Sequence, residues 1–150
     1  MGQVRFGLGA IRGVGEGAVE LADAGADLAI LPELFPFLGP EARLPEIAEP
    51  VPGGAPVEML GKAAARGQLW IAGGSVPERD GDHLFNTAPL FDRSGELVAR
   101  YRKIHLFDVD LEGQPPFRES TTYRAGTELV THAMEDLRVG LSICYDLRFP

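Results

Sequence analysis

Three side chains in this sequence are of types that perform or assist covalent chemistry: the one cysteine, Cys144, in "VGLSICYDLRFP", Glu33 in "ILPELF", and Lys103 in "YRKIHLF". A thiol attacks carbon only as thiolate, so a catalytic cysteine needs a base or a positive charge beside it. Glu33 stands between the apolar runs "ILP" and "LFPF", surroundings expected to raise a carboxyl pKa and fit it to accept that proton. When sulfur adds to a carbonyl or nitrile carbon, charge grows on the oxygen or nitrogen. A fixed ammonium such as that of Lys103, with a backbone N–H such as that of Tyr145, is suited to stabilise it. Each residue also has an inert reading: a core cysteine, a strand-end carboxylate capping a turn, an edge-strand lysine that discourages aggregation. Only the combination points to acyl transfer.

Other chemistries find less support. In "GLGAIRG" Arg12 stands where the dinucleotide fingerprint needs its third glycine, and neither a G-x-S-x-G elbow nor a G-x-x-x-x-G-K phosphate loop occurs. His83, His105 and His132 are far apart and lack metal-ligand spacing. The expectation is no metal and no cofactor.

The elements that must position these residues read as six strands: "QVRFGLGAI", "ADLAILPEL", "GQLWIAGGSV", "LFNTAPLFD", "ELVARYRKI" and "LRVGLSICY". Two helices, "EGAVELADAG" and "PVEMLGKAAARG", separate the first three strands, with Gly25 and Gly67 suited to their C-caps. That gives a βαβαβ opening. Asp92 and Gly95 in "DRSGE" supply turn chemistry for an antiparallel hairpin, so the sheet is expected to be mixed. Glu33, Lys103 and Cys144 then fall at or just after strand ends, where open α/β sheets hold ligands. The stretch from Asp108 to Glu128 has no clear period, and an irregular segment of that length is expected to shape a site.

The chain's 150 residues are compatible with one domain, and 45% apolar content places it among globular chains. A net charge of -8 without a basic cluster argues against nucleic acid or a polybasic membrane patch. No apolar run approaches the roughly 18 residues of a membrane span, and no signal-peptide layout opens the chain. The default expectation is the cytoplasm.

Taken together and in order, "ILPELF", "YRKIHLFDVD", "FRES" and "VGLSICYDLRFP" resemble the signature segments of the nitrilase superfamily of carbon–nitrogen hydrolases. They are most like its omega-amidase and deaminated-glutathione-amidase branch. "IAGGSVPE" and "LFNTAPLFDRSGELVARYRKIHLFD" extend the resemblance over nearly the whole chain. It implies an α/β fold, a four-layer αββα sandwich with a mixed sheet, of which residues 1–150 are the N-terminal part of a single domain, incomplete at the C-terminus. It also implies Cys144 as nucleophile, Glu33 as general base that later protonates departing ammonia, and Lys103 as oxyanion stabiliser. Glu119 in "FRES" stands where the family has a second glutamate orienting the lysine and the substrate; its residue type alone reads as a loop carboxylate.

The implied substrate is a small-molecule amide, in this branch the ω-amide of a short dicarboxylic acid. Arg148 is placed either to pair with a distal carboxylate or to form a salt bridge beneath the site. Nitriles and N-carbamoyl compounds suit the same residues. Self-association as a homo-oligomer is implied for a complete domain. Three departures matter: the chain stops inside a signature segment, the stretch from Val4 to Glu33 is shorter than in the family, with "GLGAIRGVGEG" replacing the end of the first strand and much of the first helix, and "LFPFLGPEA" replaces a tyrosine-containing segment after Glu33. The second reading is therefore a truncated or degenerate product without activity, serving at most as an interaction module.

Overall fold

Apolar alternation places a sheet between two different environments, and the computed structural model, which describes residues 3–6, 14–113 and 115–150, shows how. Strand β1 (Gln3–Phe6), helix α1 (Val14–Asp23), strand β2 (Ala26–Ile30), the short helix α2 (Leu44–Ile47), helix α3 (Ala55–Gly67) and strand β3 (Trp70–Ala72) build the expected βαβαβ unit. β1 and β3 both pair with β2 in parallel. Strand β4 (Val76–Asp80), the long strand β5 (His83–Phe91) and strand β6 (Leu97–Arg102) complete a six-stranded mixed sheet. β5 runs antiparallel to all three of its neighbours: β3, β4 and β6.

Odd and even residues of the central strands face opposite layers. Ala29, Ile71 and Phe91 pack with Ala18 of α1 and with Val57, Leu60, Ala63 and Ala64 of α3. Leu28, Trp70 and Leu90 point the other way, against Met134 and Val139. Those two belong to a separate hairpin of β9 (Thr131–Met134) and β10 (Leu137–Gly140), which follows a small pair, β7 (Asp108–Val109) with β8 (Phe117–Arg118). The described residues thus hold a helical layer, a mixed sheet and a hairpin on the sheet's second face.

Several expectations are corrected. Ten strands, not six, occur among the described residues. "GQLWIAGGSV" is not one strand but the last residue and cap of α3, the whole of β3, a glycine corner and the start of β4. β4 escapes a periodicity search because Pro77, Glu78 and Arg79 mask it. The last predicted strand ends at Gly140, is largely exposed and belongs to the small hairpin. Gly25 does take a left-handed conformation, φ 78°, after α1. Gly67 instead lies inside α3, and Gln68 is the left-handed cap. At Gly67 a Cβ would crowd the Ala18 backbone of α1 and the Leu69 side chain, so it lets two helices approach. The "DRSGE" turn is as expected: Asp92 Oδ1 accepts from Ser94 N–H at 2.8 Å and Glu96 N–H at 3.0 Å, while Gly95 adopts φ 86°. The end of the first predicted strand and "GLGAIRG" lie outside the described residues.

Candidate active site

β5 and β6 supply the polar centre. Ala88 pairs with Tyr101, and the ladder continues one step past β6, where Lys103 N–H donates to Asn86 C=O at 2.9 Å. Asn86, Ala88, Tyr101 and Lys103 therefore share one face of the hairpin. Lys103 is only 2% exposed, which excludes a solvated edge-strand role. Its ammonium donates to Glu33 Oε1 at 3.1 Å and to Glu119 Oε2 at 2.8 Å. Burial alone would lower its pKa, but the hydrogen bonds it donates to Glu119 and Glu33, with their charges, outweigh it and hold the pKa above the ordinary lysine range.

Glu33 arrives from the turn after β2. Leu31 N–H donates to Ala72 C=O and Leu34 N–H to Ser75 Oγ, which pin the turn against the glycine corner between β3 and β4. Leu34 is held at φ 48°, an uncommon conformation for a leucine. Glu33 is not walled in by apolar neighbours as its sequence context suggests: Oε1 also accepts from Asn86 Nδ2 at 2.8 Å.

Glu119 comes from the irregular stretch, which does shape the site. The β7–β8 pair brings Phe117 and Arg118 beside Asp108 and Val109, and a single 3-10 turn, Glu119–Thr121, follows. Ser120 N–H and Oγ bind Asp108, closing that loop. Glu119 is buried, and beyond Lys103 it accepts from Phe107 N–H at 2.7 Å and Asn86 Nδ2 at 3.3 Å.

Cys144 does not end a strand. It opens a 3-10 turn, Cys144–Arg148, at φ 48°. The turn is tied down by Asp146, whose carboxylate accepts from Ile143 N–H at 3.0 Å, His105 N–H at 2.9 Å and Tyr101 O–H at 2.7 Å, and faces His105 Nδ1 at 2.8 Å. Burial alone would raise the Asp146 pKa, yet these donors hold it below the ordinary carboxylate range. The same contact and burial push the Tyr101 phenol up to about 12. The turn bearing the thiol is thus tied to the segment bearing Lys103.

The thiol itself is exposed. Its pKa is raised, by burial first, then by the charge of Glu33, with Lys103 pulling the other way and a hydrogen bond to Glu33 adding to the rise. Lys103 thus favours, and the glutamates oppose, loss of the proton from Cys144. A cavity of about 200 Å³ opens beside it, with Glu33, Ala72, Gly73 and Ala88 in its wall. The Tyr145 ring packs edge-on against Phe107 and Phe149 at 5.0 and 5.4 Å. Arg148 is exposed and makes no ion pair among the described residues, so the salt bridge beneath the site is not seen.

Sequence reading missed Asn86 and Asp146. Asn86 is the only asparagine and sits in the middle of an apolar strand, which is the signal that marked it. Asp146 had a similar signal, an acid directly after "ICY". Among the described residues no three His, Cys, Asp or Glu side chains gather as metal ligands, and no helix is long and apolar enough to cross a membrane.

Comparison with known proteins gives the family and the fold. The family described as carbon-nitrogen hydrolase matches residues 8–150. The sequence is 42% identical over 130 residues to the omega-amidase NIT2 of Homo sapiens, covering 87% of this chain and 47% of that one. It is 43% identical over 135 residues to the chloroplastic omega-amidase of Arabidopsis thaliana, covering 87% and 36%. Among solved structures, Saccharomyces cerevisiae Nit3, of branch 10 of the nitrilase superfamily, aligns with a TM-score of 0.74 at 26% identity over 91% of this chain and 50% of that one. A CN-hydrolase superfamily protein of Xanthomonas campestris, with an arsenic adduct in its active site, aligns at 0.73 and 30% over 100% and 53%. The α/β fold with its mixed sheet is shared with both, and the chain spans less than half the length of the two curated relatives.

Proposed function

Because the chain belongs to the carbon-nitrogen hydrolase family, we propose that it cleaves a small carboxamide to acid and ammonia through a thioester on Cys144. The observation that carries this reading is one ammonium held between two glutamates, 3.1 Å from Glu33 and 2.8 Å from Glu119, with Cys144 and Glu33 lining one cavity. The thiol gives its proton to Glu33 while sulfur bonds to the amide carbon. Charge on the carbonyl oxygen is met by Lys103 and by the Tyr145 N–H. Glu33 then passes the proton to the amide nitrogen, the C–N bond breaks and ammonia leaves. Water, deprotonated by Glu33, attacks the thioester; the C–S bond breaks and the proton returns to sulfur. Glu119 holds Lys103 in place throughout.

Relatives named as omega-amidases at about 40% identity support one substrate class: an ω-amide of a short dicarboxylic acid, with Arg148, which makes no ion pair among the described residues, taking the distal carboxylate. Ammonia release from α-ketoglutaramate tests it. We expect turnover that Cys144→Ala reduces by about a thousandfold or more, with the far-UV dichroism unchanged. Turnover surviving in that variant removes the mechanism. A non-catalytic interaction role is favoured by one observation, the exposure of Leu129 at 89% and Leu147 at 79% on either side of Cys144. Binding of a partner without any cysteine-dependent turnover would select it.

A further inference from the structure

Asn86 is wholly buried, at 0% exposure, yet its Oδ1 has no hydrogen-bond partner among the described residues. A side chain kept only for packing on this face of the strand would be apolar, as Ala88 two residues on is, and the one other wholly buried polar side chain of the strand, Thr87, has its own partner in Glu78. A buried carbonyl without a donor is a cost that calls for a reason. That reason lies at the other end of the amide. Nδ2 donates to Glu33 Oε1 at 2.8 Å and to Glu119 Oε1 at 3.3 Å, so one amide group grips both glutamates. The orientation follows from chemistry: the reverse rotamer would set a carbonyl oxygen against two carboxylates, which only accept.

We propose that Asn86 is a positioning residue that selects which Glu33 oxygen faces the thiol. Oε1 is taken by Asn86 and Lys103, which leaves Oε2 as the oxygen that receives the Cys144 proton. The two N–H bonds also offset part of the surplus negative charge of two carboxylates around one ammonium. Without them that charge falls on the thiol and holds its proton more tightly. The inference rests on the catalytic reading above.

Two accidents of composition make it testable on the chain as it stands: one cysteine and one asparagine. Thiol alkylation by iodoacetamide reports Cys144, and 15N-asparagine labelling gives the pair of proton signals of a single side-chain amide. In Asn86→Asp, a third carboxylate replaces the donor; the alkylation profile should move to higher pH by about one unit, a tenfold slower reaction at pH 7. Leu90→Ala on the same strand, which loosens packing against Trp70 and Met134 and away from the glutamates, should leave the profile in place. In the unaltered protein the labelled amide protons should exchange with water at least about tenfold more slowly than those of free asparagine; this measurement needs no variant to fold. An unshifted profile in Asn86→Asp, or exchange as fast as in free asparagine, overturns the proposal. If Glu33→Gln still shifts the profile in that case, the pairing of Cys144 with Glu33 stands and only the role of Asn86 falls. If Glu33→Gln is also silent, the catalytic reading fails first.

Discussion

Lys103 decides the electrostatics of the site because, among the described residues, it is the single cation between two acids, and its burial makes the pairing strict. Removing one partner of a buried ionic group leaves charge without compensation, typically at about 3–5 kcal/mol. Lys103→Met should therefore lower unfolding free energy by about that much in urea titrations. Because the folded pKa of Lys103 is raised, its contribution is full below the ordinary lysine range and is lost as pH climbs through the folded value. Asp146 behaves in the opposite sense. Its folded pKa is lowered, so its contribution is present above the unfolded value and disappears as pH falls through the folded one. Asp146→Ala strands the Ile143 and His105 N–H groups and the Tyr101 hydroxyl, and should cost about 1–3 kcal/mol. That variant should flatten the acid limb of a stability-versus-pH series; an unchanged acid limb would remove Asp146 from the account.

Among the elements, the glycine corner between β3 and β4 controls where Glu33 sits. Gly74 adopts φ 59°, and a Cβ there would collide with the Pro32 and Leu31 carbonyls. Gly74→Ala should push the Glu33 turn away, destabilise the protein by more than about 1 kcal/mol and slow cysteine-dependent turnover disproportionately. Equal losses in Gly74→Ala and in a core variant such as Leu60→Ala would contradict this. The βαβαβ unit and the β5–β6 hairpin were readable from sequence because apolar period, a left-handed Gly25 and the Asp92 turn are local signals. β4 and the turn at Cys144 were not, because their shape comes from distant partners. Glu78 is 1% exposed through its ion pairs with Arg100 and Arg102 and a bond from Thr87. Asp146 fixes a turn through residues 41 and 45 positions away. Glu119 was legible only by resemblance, since nothing nearby in sequence announces its burial.

On the scale of the whole molecule, the second face of the sheet is only partly covered, and four large apolar side chains after residue 128 are exposed: Leu129, Leu137, Leu147 and Phe149. Apolar surface of this kind favours association. The chain should sediment with a mass that rises with concentration, and Leu129→Lys with Leu147→Lys should suppress the rise; a concentration-independent monomer would argue that this surface is inert.

The same architecture sets an order in time. The β5–β6 turn closes across the Asp92–Glu96 pair, whereas the contact between Lys103 and Glu33 spans 70 residues. Closing the longer loop costs about 2.5 kcal/mol more in chain entropy, so the hairpin forms before the acids reach it. In refolding, amides of β5 and β6 should gain protection from exchange first. The altered reactivity of Cys144 should return later, when Glu33 docks onto an ammonium and an amide already waiting side by side.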